Sequence, residues 1–217
     1  DATRDQAKIY LAQVVFRSGR QQESRDLLIE AAKLSPTDPR VRLSLAELLL
    51  LVGEFEKSLA MTEGLPPALK NTAALPVIAA NQQALGRQQK LLALIPAMLR
   101  AASNPVIAIR CAEVLQNARL TAEAIALVRK ALAFSPNDPG VLLVVGRLEI
   151  ASRNFAAARR HLSRARALEP RSAEIPFALA TLENAEGNSS AALAALLQAR
   201  TLTPNSPTIL AQLALTA

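Results

Sequence analysis

One histidine and one cysteine are all that this sequence of 217 residues holds in the way of side chains that titrate or react near neutrality. A lone imidazole moves a proton usefully only when a second group hands it on. His161, in RRHLSRAR, has no such companion in the sequence and is expected to face solvent among its arginines. Cys111 would attack as a thiolate, but it stands in a rank of apolar residues and reads as buried packing; a single thiol also excludes an internal disulfide and leaves the redox compartment open. There is no metal-spaced Cys or His cluster, no glycine-rich phosphate loop and no nucleophile elbow, and the carboxylates fall on surface or cap positions. The expectation is no catalysis, no cofactor and no metal, which leaves recognition.

Charge suggests one recognition surface. The net charge is +7, from 25 Lys and Arg against 18 Asp and Glu. The excess gathers in residues 139–172, where Arg153, Arg159, Arg160, Arg164, Arg166 and Arg171 crowd one predicted helix and its end. Guanidinium forks suit phosphate or carboxylate groups, so an anionic polysaccharide, a nucleic acid or an acidic protein patch fits them. Aromatics make up 3% of the chain and none interleaves with the arginines to stack bases, which disfavours nucleic acid. A plain solvated helix face is the other reading.

The elements that carry these residues follow from a period of 33 or 34. A small residue recurs at Ala12, Ala46, Ala79, Ala112, Gly146, Ala180 and Ala214, each preceded by an apolar one: Leu11, Leu45, Ile78, Cys111, Val145, Leu179 and Leu213. A second small rank runs through Ala31, Ala131, Ala165 and Ala199, with prolines five residues on at Pro36, Pro136, Pro170 and Pro204. Such a period marks stacked supersecondary units. Within each unit an amphipathic stretch such as 41–51, a turn at Gly53 and a second stretch at 55–63 make two helices. Asp38, Asn71, Asn104, Asp138, Ser172 and Ser206 hold one repeat position and are expected N-caps, four of them followed by Pro39, Pro105, Pro139 and Pro207. Gly19, Gly53, Gly86 and Gly187, with Arg119 and Arg153 in their place in two units, close the first helix. Pro66, Pro67, Pro76 and Pro96 crowd two units; Pro76 and Pro96 are expected to kink or interrupt their helices, as a hinge, a reshaped groove or tolerated drift.

In LAELLLLVGEFEKSLA at 45–60 and VGRLEIASRNFAAARRHLSRARALEP at 145–170 the pattern resembles the tetratricopeptide repeat family, over nearly the whole chain. The family's frequent bulky aromatic in the first helix is missing, and Lys70 and Ser103 replace the terminal proline in two units. The resemblance implies an all-α, TPR-like α-solenoid: six helix-turn-helix repeats (5–38, 39–71, 72–104, 105–138, 139–172, 173–206) and a final single helix at 207–217, forming one repeat domain over 1–217 in a right-handed superhelix. The final helix and a start at Asp1 without Met lead to the expectation of a processed chain or a piece of a longer array.

In that family the first helices line a concave groove. Carried over by position, the groove candidates are Gln6, Gln13, Arg40, Glu47, Gln83, Arg110, Glu113, Gln116, Arg147, Glu174, Phe177, Thr181 and Asn184, with Leu43, Leu50 and Ile109 adding apolar surface for an extended peptide or a helix. Arg110 and Glu113 are also spaced to pair with each other. The Lys and Asn pattern that clamps a C-terminal carboxylate in some members is not visible. The first expectation is therefore a non-catalytic scaffold for a protein or peptide partner. Abundant Arg, Ala and Leu have the flavour of a GC-rich bacterium, and arrays of this type resemble periplasmic parts of exopolysaccharide-export and pilus-assembly proteins, so the periplasm is favoured over the cytoplasm. The alternatives are an anionic polymer on the Arg-rich convex surface (Arg153, Arg159, Arg160, Arg164, Arg166) and self-assembly through the open ends. The oligomeric state stays open, and no run of residues is long and apolar enough to span a membrane.

Overall fold

Asp38, Asn104 and Asp138 start their helices as their short side chains allow. Asp38 Oδ1 accepts the Arg40 amide at 2.8 Å, Asn104 Oδ1 that of Ile107 at 3.3 Å, and Asp138 Oδ1 that of Val141 at 2.9 Å. Each is followed by a proline in the first helical position, where a missing N–H leaves nothing unsatisfied. The structure, a computed structural model, describes residues 2–34 and 37–216, without the side chains of 2–6, 9, 13, 17, 31, 32 and 34. Pro36 and the side chains of Gln6, Gln13 and Ala31 therefore lie outside what is described. No strand occurs among the described residues, so the all-α expectation holds.

Packing divides the chain into two compact units, 1–98 and 99–217. The first holds α1 (Ala2–Arg17), α2 (Gln21–Leu34), α3 (Pro39–Leu51), α4 (Phe55–Glu63), α5 (Pro67–Lys70), α6 (Leu75–Ala84) and most of α7 (Gln88–Arg100). The second holds a 3-10 turn at Ala101–Ser103, then α8 (Pro105–Asn117), α9 (Thr121–Phe134), α10 (Pro139–Ala151), α11 (Phe155–Leu168), α12 (Glu174–Ala185), α13 (Ser189–Leu202) and α14 (Pro207–Thr216). Within them α1·α2, α3·α4, α8·α9, α10·α11 and α12·α13 pack as hairpins.

The middle of the chain departs from the expected register. Asn71 caps no helix start; it closes α5, an extra turn of helix opened by Pro66 and Pro67, and α6 begins only at Leu75 after an Ala74 cap with no side-chain bond. That later start puts Pro76 in the first turn of α6, where its missing amide is harmless, so no kink follows there. α7 runs on through Pro96 without the expected interruption; the ring deprives the Leu92 carbonyl of its usual donor. Ser172 is likewise no cap, because α12 begins at Glu174 behind Ala173.

The turns between paired helices are decided by backbone sterics. Gly53 adopts φ +81°, its amide bonding the Leu50 carbonyl and that of Glu54 the Leu49 carbonyl, a Schellman closure. Arg119 and Arg153 make the same pair of bonds at φ +61° and +58°. A Cβ in this region is strained by roughly 1–2 kcal/mol, and both side chains are exposed. Arg119→Gly and Arg153→Gly should each therefore stabilise the second unit by about 0.5–1 kcal/mol after glycine's larger chain entropy is allowed for. Urea melts read this, and a lower midpoint in both variants would remove the strain argument.

The small ranks are where helices touch. Ala12, Ala46, Ala79, Cys111, Ala112 and Ala180 are all fully buried, as are Ala131, Ala165 and Ala199. Burial pushes the Cys111 thiol up to about 12, which keeps it an inert packing group. A Cβ on Gly146 would stand 2.7 Å from Leu162 Cγ, in the core that Leu142, Ala158, Leu162, Ile175 and Leu182 build. The first unit pins its hairpins with polar groups instead. Ser24 Oγ donates to the Ala12 carbonyl and Ser58 Oγ to that of Ala46, at 2.7 and 2.6 Å, while Asn81 Nδ2 donates to Ser58 Oγ at 2.8 Å. In the second unit the corresponding residues are the fully buried Ala124, Ala158 and Ala192.

Candidate functional site

In the second unit α8 packs on α10 and α10 on α12, so the first helices lie side by side and present one face. Arg110 and Glu113 of α8, Arg147 of α10 and Glu174 of α12 come together there. Arg147 Nη1 lies 3.9 Å from Glu174 Oε2, a loose pair. The Glu113 carboxyl is held above the ordinary glutamate range, first by desolvation among the packed helices, against the pull of Arg147, then by Glu174, with Arg110 drawing it down least. The folded state thus binds the Glu113 proton more tightly than the unfolded chain does. Its contribution to stability is full below the unfolded value and is lost as pH rises through the folded one. Glu113→Gln should accordingly raise the urea midpoint at pH 7 and leave it unchanged at pH 3; the reverse order would place Glu113 in a stabilising ion pair.

Beside this cluster Arg147, Glu174, Phe177 and Ile209 line a cavity of about 320 Å³, with the Thr203, Ser206 and Thr208 positions at its edge. Ile209 is almost buried, whereas Phe177 is half-buried and offers ring surface. The remaining groove candidates are not drawn into this site. Gln116 is exposed on α8, Thr181 hydrogen-bonds its own helix at the Phe177 carbonyl, and Asn184 is half-buried near the end of α12. Ile109 packs over the backbone of Gly140.

In the first unit Glu47 lines a cavity of about 210 Å³ with Phe16, Leu28, Ser44, Leu48 and Leu51. Arg40 sits at the start of α3, 3.6 Å from its own cap Asp38. Gln83, Leu43 and Leu50 are half-buried.

The arginine cluster is thinner than its sequence suggests. Arg159 bridges Glu183 and Glu186; the two carboxylates hold its proton more tightly, its guanidinium holds the Glu183 carboxyl low, and this arginine already has its anions. Arg164 donates to Asn137 Oδ1. Arg153, Arg160, Arg166 and Arg171 remain exposed.

His161 does not face solvent as expected. Its Nδ1 lies 2.8 Å from Glu149 Oε2 and donates to that carboxylate, which is only 5% exposed. The reason is register: one repeat earlier the same two positions hold Leu115 and Leu127, both buried, so His161 points into a hairpin core and Glu149 meets it there. A comparison of repeat positions would have signalled two buried positions, though not that these two groups bond each other.

Residues 145–207 match the tetratricopeptide repeat family. Three solved structures share the architecture: a thermophilic TPR protein of Thermus thermophilus, 23% identical, with a TM-score of 0.56 over 98% of each chain; a tetratricopeptide repeat protein of Parabacteroides merdae, 16% identical, with a TM-score of 0.72 over 98% of this chain and 84% of that one; and PilW, a type IV pilus biogenesis factor, 17% identical, with a TM-score of 0.64 over 96% and 98%. The fold is a TPR-like fold. No curated protein matches the sequence. TPR-like hairpins of this kind commonly serve as protein–protein interaction scaffolds. Among the described residues no cluster of His, Cys, Asp and Glu could hold a metal ion, and no helix is long and apolar enough to cross a membrane.

Proposed function

We infer that the protein is a non-catalytic TPR-like scaffold whose second unit holds a peptide segment of a protein partner on the first-helix face. The observation that carries this is the cavity at Phe177, where ring surface, a carboxylate and a guanidinium from neighbouring helices meet. An apolar side chain of the partner would lie on Phe177 and Ile209, while Glu113, Arg147 and Glu174 would orient polar groups beside it. We place the scaffold in a bacterial envelope assembly of the periplasm, one that exports polysaccharide or builds pili. The sequence character supports that setting, together with a fold like that of PilW. Fractionation of cells expressing the native gene tests it, and recovery with cytoplasmic markers would sink the envelope setting while leaving the scaffold reading.

The binding test compares two surfaces. Glu113→Arg with Arg147→Glu should cost more partner affinity than Arg160→Ser with Arg164→Ser, because several helices converge at the first site and exposed charges individually contribute little at the second. Pull-downs in which the Arg160 and Arg164 change abolishes association, with a steep salt dependence, would replace this reading by anionic-polymer binding.

A further inference from the structure

Charge is sorted between the two helix layers of the second unit. α9 rests on α8 and α10, α11 on α10 and α12, and α13 on α12 and α14, so the second helices form a layer of their own. That layer carries two cations in α9, four in α11 and one in α13, against a single acid, Glu123. The first helices α8, α10 and α12 carry two arginines against four glutamates. Of the seven second-helix cations, only Arg159 has a carboxylate partner among the described residues. Apolar side chains stand out beside these charges. Phe134, Leu168 and Leu202 hold one repeat position, the last of α9, α11 and α13, and are 58%, 46% and 37% exposed. Lys130 stands four residues before Phe134, Arg164 four before Leu168 and Arg160 four before Arg164, all exposed, so cations and apolar groups share one stripe of each helix. Further hairpins follow both α9 and α11, so Phe134 and Leu168 are uncovered within the stack and not at its end. We propose that this stripe rests the protein on an anionic lipid surface, with Lys130, Arg160 and Arg164 among the headgroups and Phe134 and Leu168 against the acyl layer.

The two kinds of side chain together select the occupant. Unpaired cations call for anions, and a soluble polysaccharide or a nucleic acid supplies anions alone, leaving Phe134 and Leu168 in water. An anionic leaflet has an apolar layer directly beneath its headgroups, within reach of a ring or an isobutyl group set beside a long arginine. A row at one repeat position also runs straight across successive hairpins, which matches a laterally uniform surface. Charge fixes the orientation: with the second helices on the leaflet, the glutamates of the first helices face away from its negative charge. The first-helix face then stays open to water, so the lipid contact is independent of what that face binds.

Co-sedimentation of the full 217-residue chain with vesicles tests this, using phosphatidylcholine alone and phosphatidylcholine mixed with phosphatidylglycerol. The expected result is binding to the mixed vesicles only, weakening as salt rises. Arg160→Ser with Arg164→Ser, and separately Phe134→Ser with Leu168→Ser, should each weaken it by about tenfold or more. The chain has no Trp, so Leu168→Trp places a single reporter on the stripe. Its emission should shift to the blue on the mixed vesicles, while that of Thr181→Trp, exposed on α12, should not. No binding to the mixed vesicles, or equal binding to both kinds, overturns the proposal. Binding that leaves the Leu168→Trp emission unshifted and survives Phe134→Ser with Leu168→Ser overturns it in favour of a soluble polyanion on the arginines. A shift at Thr181→Trp instead would put the opposite face on the lipid and overturn it as well.

Discussion

His161→Leu should destabilise the second unit by about 3 kcal/mol, and adding Glu149→Leu should more than recover the loss. The single change takes the imidazole away from a carboxylate that is 5% exposed, and a buried charge without a partner is far more expensive than the pair is favourable. The double change installs the pair that the preceding repeat already uses, Leu115 and Leu127, at 0% and 1% exposure. Replacing both partners of a buried hydrogen bond by packed aliphatics of similar size is commonly neutral or stabilising. Urea unfolding of the two variants and the parent checks the order. A double variant less stable than the single one would mean that the α10–α11 hairpin has no room for two leucines, and that the pair answers to shape rather than to drift.

Gly146→Ala should be destabilising by about 1–2 kcal/mol, against the gain of about 1 kcal/mol that alanine brings to an open helix. The new Cβ would stand 2.7 Å from both Leu162 Cγ and Cδ2, and Leu162 is fully buried among Leu142, Ala158 and Ile175, with nowhere to swing. The neighbouring hairpins hold alanine at this position, in Ala112 and Ala180, both fully buried. Leu162→Val shortens the opposing side chain, so Gly146→Ala in that background should cost less than in the parent, a coupling that a double-mutant cycle reads directly. Stabilisation by Gly146→Ala alone would show that α10 and α11 move apart at little cost.

The same two positions show what kind of information each level holds. The period of 33 or 34 identifies Gly146 as a contact residue, because any large side chain in that rank would push paired helices apart; the sequence alone therefore determined the helical hairpins and their buried small ranks. It also determined the left-handed closures at Arg119 and Arg153 and the caps at Asp38, Asn104 and Asp138, since these depend on φ and on amides two or three residues away. Periodicity says which positions are equivalent, but not which polar group meets which across a hairpin. Only the tertiary structure decided that His161 turns inward to Glu149, that Arg159 is taken by Glu183 and Glu186, and that Ser58 and Asn81 pin the first unit. It likewise decided that Arg42 lies over Gly64, donating to the Ala60 and Met61 carbonyls at the end of α4, because glycine leaves that space open. The extra helix α5 shifted the start of α6 and made Pro76 harmless, an outcome that turns on where a helix begins rather than on which residues it contains. Of the groove candidates, the family resemblance implied the face, and the structure shows that Arg147 comes within 3.9 Å of Glu174 and lines one cavity with Glu174 and Phe177, because neighbouring helices carry them at matching heights.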